Sequence, residues 1–332
     1  MADNRLVDGF GRAHTYLRIS VTDRCNLRCR YCMPADQVAW RASAELLTDD
    51  EIIHQAGLFA SLGITKIRLT GGEPMVRPGI EHLIERLTSV PGIAVVAMTT
   101  NATLLRNKAQ ALKAAGLHGL NISLDTLRRD RFAAITGRDQ LSDVMAGIDA
   151  AQEAGLAPPR INTVVMKNVN DDELVDFVGF AVDRSVCVRF IEFMPSQSAT
   201  IPSAELLPFA EMKERIAMHF RLTPVKPAES PYSTVAKEYA IDNSGGRIGF
   251  ITPMTDHFCD RCNRLRLTAD GRLKTCLFYP AEISLRDAIR GGAGRDDLRD
   301  LVMTTLGGKA EYPPQADRVI TTNELGMFTV GG

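Results

Sequence analysis

No apolar stretch in this chain of 332 residues approaches the roughly 18 that a membrane-spanning helix needs, and residues 1–14 lack the apolar core of a secretory signal. The expectation is a cytoplasmic protein without a membrane partner. Charge of one sign is also missing. Lys and Arg number 39 against 40 Asp and Glu, a net charge of −1, which speaks against a protein held on nucleic acid by a broad basic field. Any anion it binds has to be met locally. Seven cysteines are too few and too unevenly placed for a disulfide scaffold. No internal repeat and no low-complexity tract is visible. What remains is an ordinary globular composition, 45% hydrophobic and 24% charged, in a length that suits one large domain with a smaller one.

The first two thirds alternate short apolar strands with longer amphipathic helices, the pattern of parallel βα units. Six strands are expected, at 16–21, 64–69, 93–98, 119–124, 160–166 and 187–193. Thr48 followed by Glu51 is a capping-box start for a helix to about residue 62. Further helices are expected at 103–115, 141–154, 171–183 and 208–219, the last with Pro208 in its first turn. Near Arg221 the composition changes, with Pro224, Pro227 and Pro231 close together, so a boundary is placed there: 1–220 and 221–332. Beyond it, 264–268 and 272–277 flank Ala269-Asp270-Gly271, a hairpin signal, and two short helices with a frayed tail finish the chain.

Parallel strands covered by helices are usually apolar on both faces. Here one face is polar: Arg18 and Ser20, Lys66, Arg68 and Thr70, Asn121, Ser123 and Asp125, Arg160 and Asn162, and Glu192. The alternate residues Leu17, Ile19, Ile67, Leu69, Ile122, Leu124, Ile161 and Phe193 can pack under the helices. In a curved sheet of six units the polar positions line the inside of a partial barrel, a charged cavity for an anionic ligand. A sheet with a poorly covered face, or misplaced strand boundaries, is the plainer alternative.

Cys25, Cys29 and Cys32 follow the first strand, at the carboxyl end where α/β folds place their sites. Three thiolates this close can converge on one metal centre, an iron–sulfur cluster with one iron left open or a zinc that recruits a distant fourth ligand. Cys259, Cys262 and Cys276 form a second group, with His257 beside it. On spacing alone a three-cysteine, one-histidine zinc site is a serious reading there. Arg264 and Arg266 lie two apart on a strand beside it, and the planar fork of arginine suits phosphate oxygens. Cys187 stands alone.

The first group, with Tyr31 before its last cysteine, and Gly71-Gly72-Glu73-Pro74 after the second strand resemble the two signatures of the radical S-adenosylmethionine (SAM) superfamily. That resemblance implies a partial (β/α)6 TIM-like barrel. The added Cys-x2-Cys-x13-Cys and the run Cys262-Asn263-Arg264-Leu265-Arg266 resemble, over essentially the whole chain, the GTP 3′,8-cyclase family of molybdenum cofactor biosynthesis. Two 4Fe-4S clusters are then implied, on Cys25, Cys29 and Cys32 and on Cys259, Cys262 and Cys276, the second in a smaller C-terminal α+β domain. Tyr31, Gly72, Ser123 and Met194 would contact SAM; Arg18, Arg68, Thr99, Arg160, Arg264 and Arg266 would hold GTP; Gly331 and Gly332 would be a tail reaching the active site. Arg160 stands where the family usually has lysine, and Ala102 where it usually has glycine.

The same resemblance implies the chemistry. An electron from the first cluster cleaves SAM, the 5′-deoxyadenosyl radical takes hydrogen from C3′ of GTP, and the ribose radical closes onto C8 of guanine. The product is (8S)-3′,8-cyclo-7,8-dihydroguanosine 5′-triphosphate, passed to cyclic pyranopterin monophosphate synthase. A reducing system and a homodimer are implied too. Two other functions fit parts of the pattern: a radical SAM enzyme acting on a peptide, and a non-catalytic zinc or electron-transfer module.

Overall fold

The computed structural model describes residues 5–33, 40–156, 158–194, 205–225, 235–313 and 327–330. Its centre is a run of parallel strands, β1 (Tyr16–Ser20), β2 (Lys66–Thr70), β3 (Val95–Thr100), β4 (Gly119–Ser123), β5 (Arg160–Lys167) and β6 (Cys187–Glu192), each paired with the next. Helices α1 (Asp49–Ser61), α2 (Ile80–Thr88), α3 (Ala109–Ala114), α4 (Arg129–Thr136), α5 (Leu141–Glu153) and α6 (Leu174–Asp183) connect them. This is the expected (β/α)6 order. The Thr48 capping box is present, with Thr48 Oγ1 accepting from Glu51 N and Glu51 Oε2 from Thr48 N. The sequence reading did not single out α2 or α4.

Strands β2 and β3 begin two residues later than expected. The isoleucines two residues before them are still tied to the preceding helix ends: Ile64 N bonds to Phe59 O as α1 ends, and Ile93 N bonds to Val90 O after α2. Both side chains are buried, so they read as strand although their backbone is still turning.

The chain beyond β6 works at both edges of this sheet. After β7 (Glu205–Leu206), which pairs with β5, come α7 (Phe209–Ala217), β8 (Leu222–Pro224), β9 (Lys237–Ile241) and β10 (Arg247–Ile251). Strand β10 lies parallel beside β6 and carries β9 and β8 outward. Strand β11 (Arg264–Leu267) then pairs parallel with β1 at the opposite edge, followed outward by β12 (Arg272–Lys274) and β13 (Ile283–Ser284). The sequence reading saw the β11–β12 hairpin and not its parallel docking on β1. Helices α8 (Leu285–Arg290) and α9 (Arg295–Gly307) follow, and a last short helix spans Met327–Val330.

Alternation along the strands separates two environments. Leu17, Ile19, Ile67, Leu69, Ile122 and Ile161 are buried beneath the helices with Phe59, Leu83, Ile84 and Leu87. Each such side chain contributes about 1.5–3 kcal/mol by leaving water. The opposite positions face the inside of the barrel. Among the described residues no helix is long and apolar enough to cross a membrane.

Candidate active site

The loop after β1 carries Cys25, Cys29 and Cys32. Cys32 N and Met33 N both donate to Cys29 O at 2.9 Å, and the loop is tied to the end of α4 by Arg28 N to Thr136 O at 2.8 Å and Arg30 N to Ile135 O at 3.0 Å. The Gly71-Gly72-Glu73 turn after β2 lies directly against it: Gly72 N donates to Thr22 O and Glu73 N to Arg24 O. A Cβ on Gly72 would fall 2.2 Å from Arg24 O, and one on Gly71, at φ +136°, 2.3 Å from Thr22 O, so only glycine allows this approach. Glu73 is buried and accepts from Met75 N, Thr100 Oγ1 and Asn101 N at 3.1, 2.8 and 2.7 Å. Burial lifts its carboxyl to about 7 against those bonds. Asn101 reaches back to Asn26 Oδ1 at 2.9 Å and to Cys25 Sγ at 3.8 Å. Ala102 follows at φ +62°, a left-handed backbone in which glycine is easier, which explains why a departure from glycine here is a local strain and not a change of path.

The three thiols line a cavity of about 170 Å³ at the carboxyl ends of the strands, together with Gly72, Thr99, Ser123, Asp125 and Met194. Tyr31 donates to Asp125 Oδ2 at 2.7 Å, while Asp125 Oδ1 accepts from Val164 N at 2.9 Å. Met327 and Phe328 of the last helix also border this chamber, Phe328 edge-on to Trp40 with ring centroids 5.9 Å apart. Gly331 and Gly332 lie outside the described residues. Burial, then Glu73 for Cys25 and the neighbouring thiols and Asp125 for Cys29 and Cys32, holds all three thiols high, Cys25 at about 11. Three thiolates in this place need a cationic centre to balance them.

Cys259, Cys262 and Cys276 lie at the other end of the barrel. Strand β11 runs parallel to β1 with Arg264 opposite Tyr16, so Cys262 sits level with the amino end of β1. Cys276 returns to that level after the antiparallel β12. Cys262 N donates to Cys259 O at 3.1 Å. Burial, then Cys276 and Cys262, pushes Cys259 up to about 11. The three cysteines and His257 line a second cavity of about 150 Å³. Among the described residues no three Cys, His, Asp or Glu side chains converge on a point fit for a single metal ion; the thiols of each group border a room instead.

That lower chamber is the cationic one. Register places Arg266, Arg18 and Arg68 side by side on β11, β1 and β2, and Arg264, Tyr16 and Lys66 side by side one step below. Arg160 and Arg189 complete the ring; among the described residues no carboxylate lines it, although Arg189 is 3.8 Å from Glu238 Oε1 behind the wall. Tyr16 sits in the middle. Its hydroxyl oxygen is 2.5 Å from Arg68 Nε, Lys66 Nζ lies 4.8 Å from its ring centroid and Arg264 Cζ 5.6 Å. Burial alone would raise the phenol, yet Arg68, Arg18, Arg264 and Lys66 together draw it down to about 6. Lys66 is pushed down to about 7, first by burial and then by Arg68, Arg160 and Arg264. Burial of this many like charges is costly unless an anion joins them.

The two chambers share Asn162, Ile191 and Met194 as common wall. Among the described residues the buried atoms Thr99 Oγ1, Asn121 Oδ1, Asn162 Oδ1, Arg189 Nε and Arg264 Nε have no hydrogen-bond partner; all belong to residues of these walls. Tyr31, Gly72, Ser123 and Met194 line the upper chamber, Arg18, Arg68, Arg160, Arg264 and Arg266 the lower, and Thr99 the upper one.

Lys66 and Arg189 were missed as site residues. Lys66 was visible on the polar strand face. Arg189 was hidden because β6 was read in the wrong phase: Glu192 shares its face with Val188 and Phe190, all buried, and does not point into the barrel. Glu192 instead accepts from Phe209 N at 3.0 Å, Met254 N at 2.8 Å and Thr255 N at 3.0 Å, pinning the start of α7 and the loop after β10.

Comparison with known proteins agrees with this geometry. The radical SAM superfamily profile matches residues 19–181, and one described as molybdenum cofactor synthesis C matches 186–313. The chain is 45% identical over 328 residues to the mitochondrial GTP 3′,8-cyclase of Arabidopsis thaliana, covering 98% of this chain and 83% of that one. It is 45% identical over 306 residues to the GTP 3′,8-cyclase of Pelotomaculum thermopropionicum, covering 92% and 94%. Among solved structures, Streptococcus suis SuiB bound to its precursor peptide SuiA is similar with a TM-score of 0.61 at 15% identity, covering 83% of this chain and 64% of that longer one. That likeness concerns the fold.

Proposed function

The chain belongs to the GTP 3′,8-cyclase family of radical SAM enzymes, and we propose that its upper chamber holds SAM and a first 4Fe-4S cluster while its lower chamber holds GTP against a second. The reaction is the conversion of GTP to (8S)-3′,8-cyclo-7,8-dihydroguanosine 5′-triphosphate, in molybdenum cofactor biosynthesis. The observation that carries this is the juxtaposition of two thiol-lined rooms with one common wall, the lower of them ringed by cations.

Cys25, Cys29 and Cys32 would hold the first cluster and Cys259, Cys262 and Cys276 the second. Rooms bordered by three thiols apiece fit such groups, since closely spaced thiolates are the ligands that hold iron–sulfur clusters. When bound, SAM and the first cluster supply a strong one-electron oxidant of C–H bonds. The rest is the work of this chain's residues. Gly71 and Gly72 allow the backbone to approach the cysteine loop; Tyr31, Ser123 and Met194 line the place for SAM. Arg18, Arg68, Arg160, Arg264 and Arg266, joined by Lys66 and Arg189, neutralise a triphosphate and fix the ribose relative to the common wall. Thr99, with an unpartnered hydroxyl on the upper side, is placed for the sugar end of GTP more readily than for its phosphates. Holding the two reactants in an attack geometry can be worth about 7–11 kcal/mol.

On this reading the partners are GTP, a reducing system, the synthase that consumes the cyclised nucleotide, and a second copy in a homodimer, in the cytoplasm. We keep residues 1–220 as the SAM barrel and 221–332 as the auxiliary-cluster and GTP-binding part. A peptide substrate is disfavoured by the lower chamber, which gathers Arg18, Lys66, Arg68, Arg160, Arg189, Arg264 and Arg266 around one space and so suits a polyanion better than a neutral peptide. Titration of the anaerobically reconstituted protein with GTP, without SAM, tests the assignment: saturable binding, displaced weakly or not at all by uncharged guanosine, is expected, and no binding of GTP overturns it.

A further inference from the structure

Asp8, Arg12 and His14 stand on a small N-terminal hairpin closed by the Val7–Ala13 bridge, and nothing in the function above uses them. Arg12 is buried and all three of its side-chain nitrogens are engaged. Its Nε donates to Asp8 Oδ2 at 2.6 Å, one amino group to Cys259 O at 2.9 Å and Glu311 O at 2.8 Å, and the other to Ala310 O at 2.9 Å. Asp8 is held in turn by Phe10 N at 3.0 Å, Arg12 N at 3.1 Å and His14 Nε2 at 3.0 Å. The segment that Arg12 clamps leads into Lys309, also buried, whose ammonium donates to Thr275 O and lies 3.5 Å from Arg264 O. Two buried cations thus reach the backbone of the second cysteine group from behind, one at Cys259 itself and one at the residue before Cys276.

Buried ions are a poor way to gain stability, since apolar packing of similar volume does as well or better. Two of them aimed at carbonyls of metal-ligating loops are accounted for by the loops. Of the charges, Asp8 balances one; His14, driven down to about 4 by burial and then by Lys309, adds none at neutral pH.

We propose that Arg12 and Lys309 are positioning residues for the metal group on Cys259, Cys262 and Cys276, an inference that rests on reading that group as an iron–sulfur cluster. Their hydrogen bonds set the loop carbonyls so that the three thiols face one room. Their charge favours the reduced, more negative state of the cluster, as outer-shell charge does at metal sites.

The test uses the full-length chain with Cys25, Cys29 and Cys32 replaced by serine, so that the second site alone contributes. Iron content and the midpoint potential, by electron paramagnetic resonance during redox titration, are measured for this parent and with Arg12→Met, Lys309→Met or Arg12→Lys added. The parent should hold about four irons. Each methionine variant should lose iron or, where loaded, titrate at a more negative potential. Arg12→Lys, which keeps the charge and loses the fork, should keep the parent's potential at lower occupancy. Parent-like iron and potential in both methionine variants overturns the proposal alone, whereas a parent without iron overturns it together with the cluster reading. Circular dichroism accompanies each variant, and iron loss that always coincides with a lost native spectrum counts against a positioning role.

Discussion

The Tyr16 hydroxyl oxygen accepts from Arg68 Nε at 2.5 Å, and it does so in the middle of the cation-lined lower chamber. The pairing couples substrate binding to protons. In the empty chamber Tyr16 sits near 6 and Lys66 near 7, so both have lost protons above pH 7. An arriving triphosphate takes over the anion's place and raises both groups, so binding draws protons in. GTP affinity should therefore fall as pH rises from 7 to 9. Tyr16→Phe should flatten that dependence, and Lys66→Arg should remove a further part of it. Calorimetry in buffers of different ionisation enthalpy measures the proton uptake directly; equal uptake in wild type and Tyr16→Phe contradicts the coupling.

The two cysteine ends should separate by mutation. Arg266 lies beside Arg18 and Arg68 in register; a charge-assisted bond of about 1.5–3 kcal/mol makes Arg266→Ala about 10- to 100-fold weaker for GTP. Cys29→Ser should abolish SAM cleavage and leave GTP binding in place. Undiminished GTP affinity in Arg266→Ala speaks against the lower chamber as the nucleotide site.

Gly72→Ala is expected to be severe for its size. The new methyl would meet Arg24 O at 2.2 Å, a backbone atom that cannot swing aside, and overpacking of this kind costs about 1–3 kcal/mol. The displaced backbone is the one that leads into Cys25. Iron content of the first site and SAM binding should drop, while the second site keeps its iron.

His14 makes the fold sensitive to mild acid. Its folded value near 4 lies below the ordinary 6.5, so the unfolded chain binds the extra proton between those values and stability falls as pH is lowered through that window, by about 3 kcal/mol in full. Denaturant midpoints at pH 7 and 4.5 should differ less in His14→Gln than in wild type. An unchanged difference removes His14 as the cause.

Much of this was legible in the sequence, and the exceptions have physical reasons. The polar positions of β1, β2, β4 and β5 were assigned to the barrel interior because period-two alternation survives without tertiary knowledge. Arg189 was lost because the buried carboxylate of Glu192 mimics a cavity residue, although its partners are three backbone amides and the Thr255 hydroxyl on the outer side. The parallel docking of β11 on β1 joins residues almost 250 positions apart, as in Arg12 with Cys259, and no local pattern announces it. Both cysteine groups could be found, but not that they sit at opposite ends of one barrel with a shared wall.

The central claim is that the upper room's radical chemistry is spent on a nucleotide bound in the lower one. Its most direct test is an anaerobic incubation of the reconstituted, reduced protein with SAM, with and without GTP, following 5′-deoxyadenosine and any new nucleotide. The account predicts 5′-deoxyadenosine formation that depends on GTP, together with a cyclised GTP product. SAM cleavage at the same rate without GTP, and no new nucleotide with it, would contradict it.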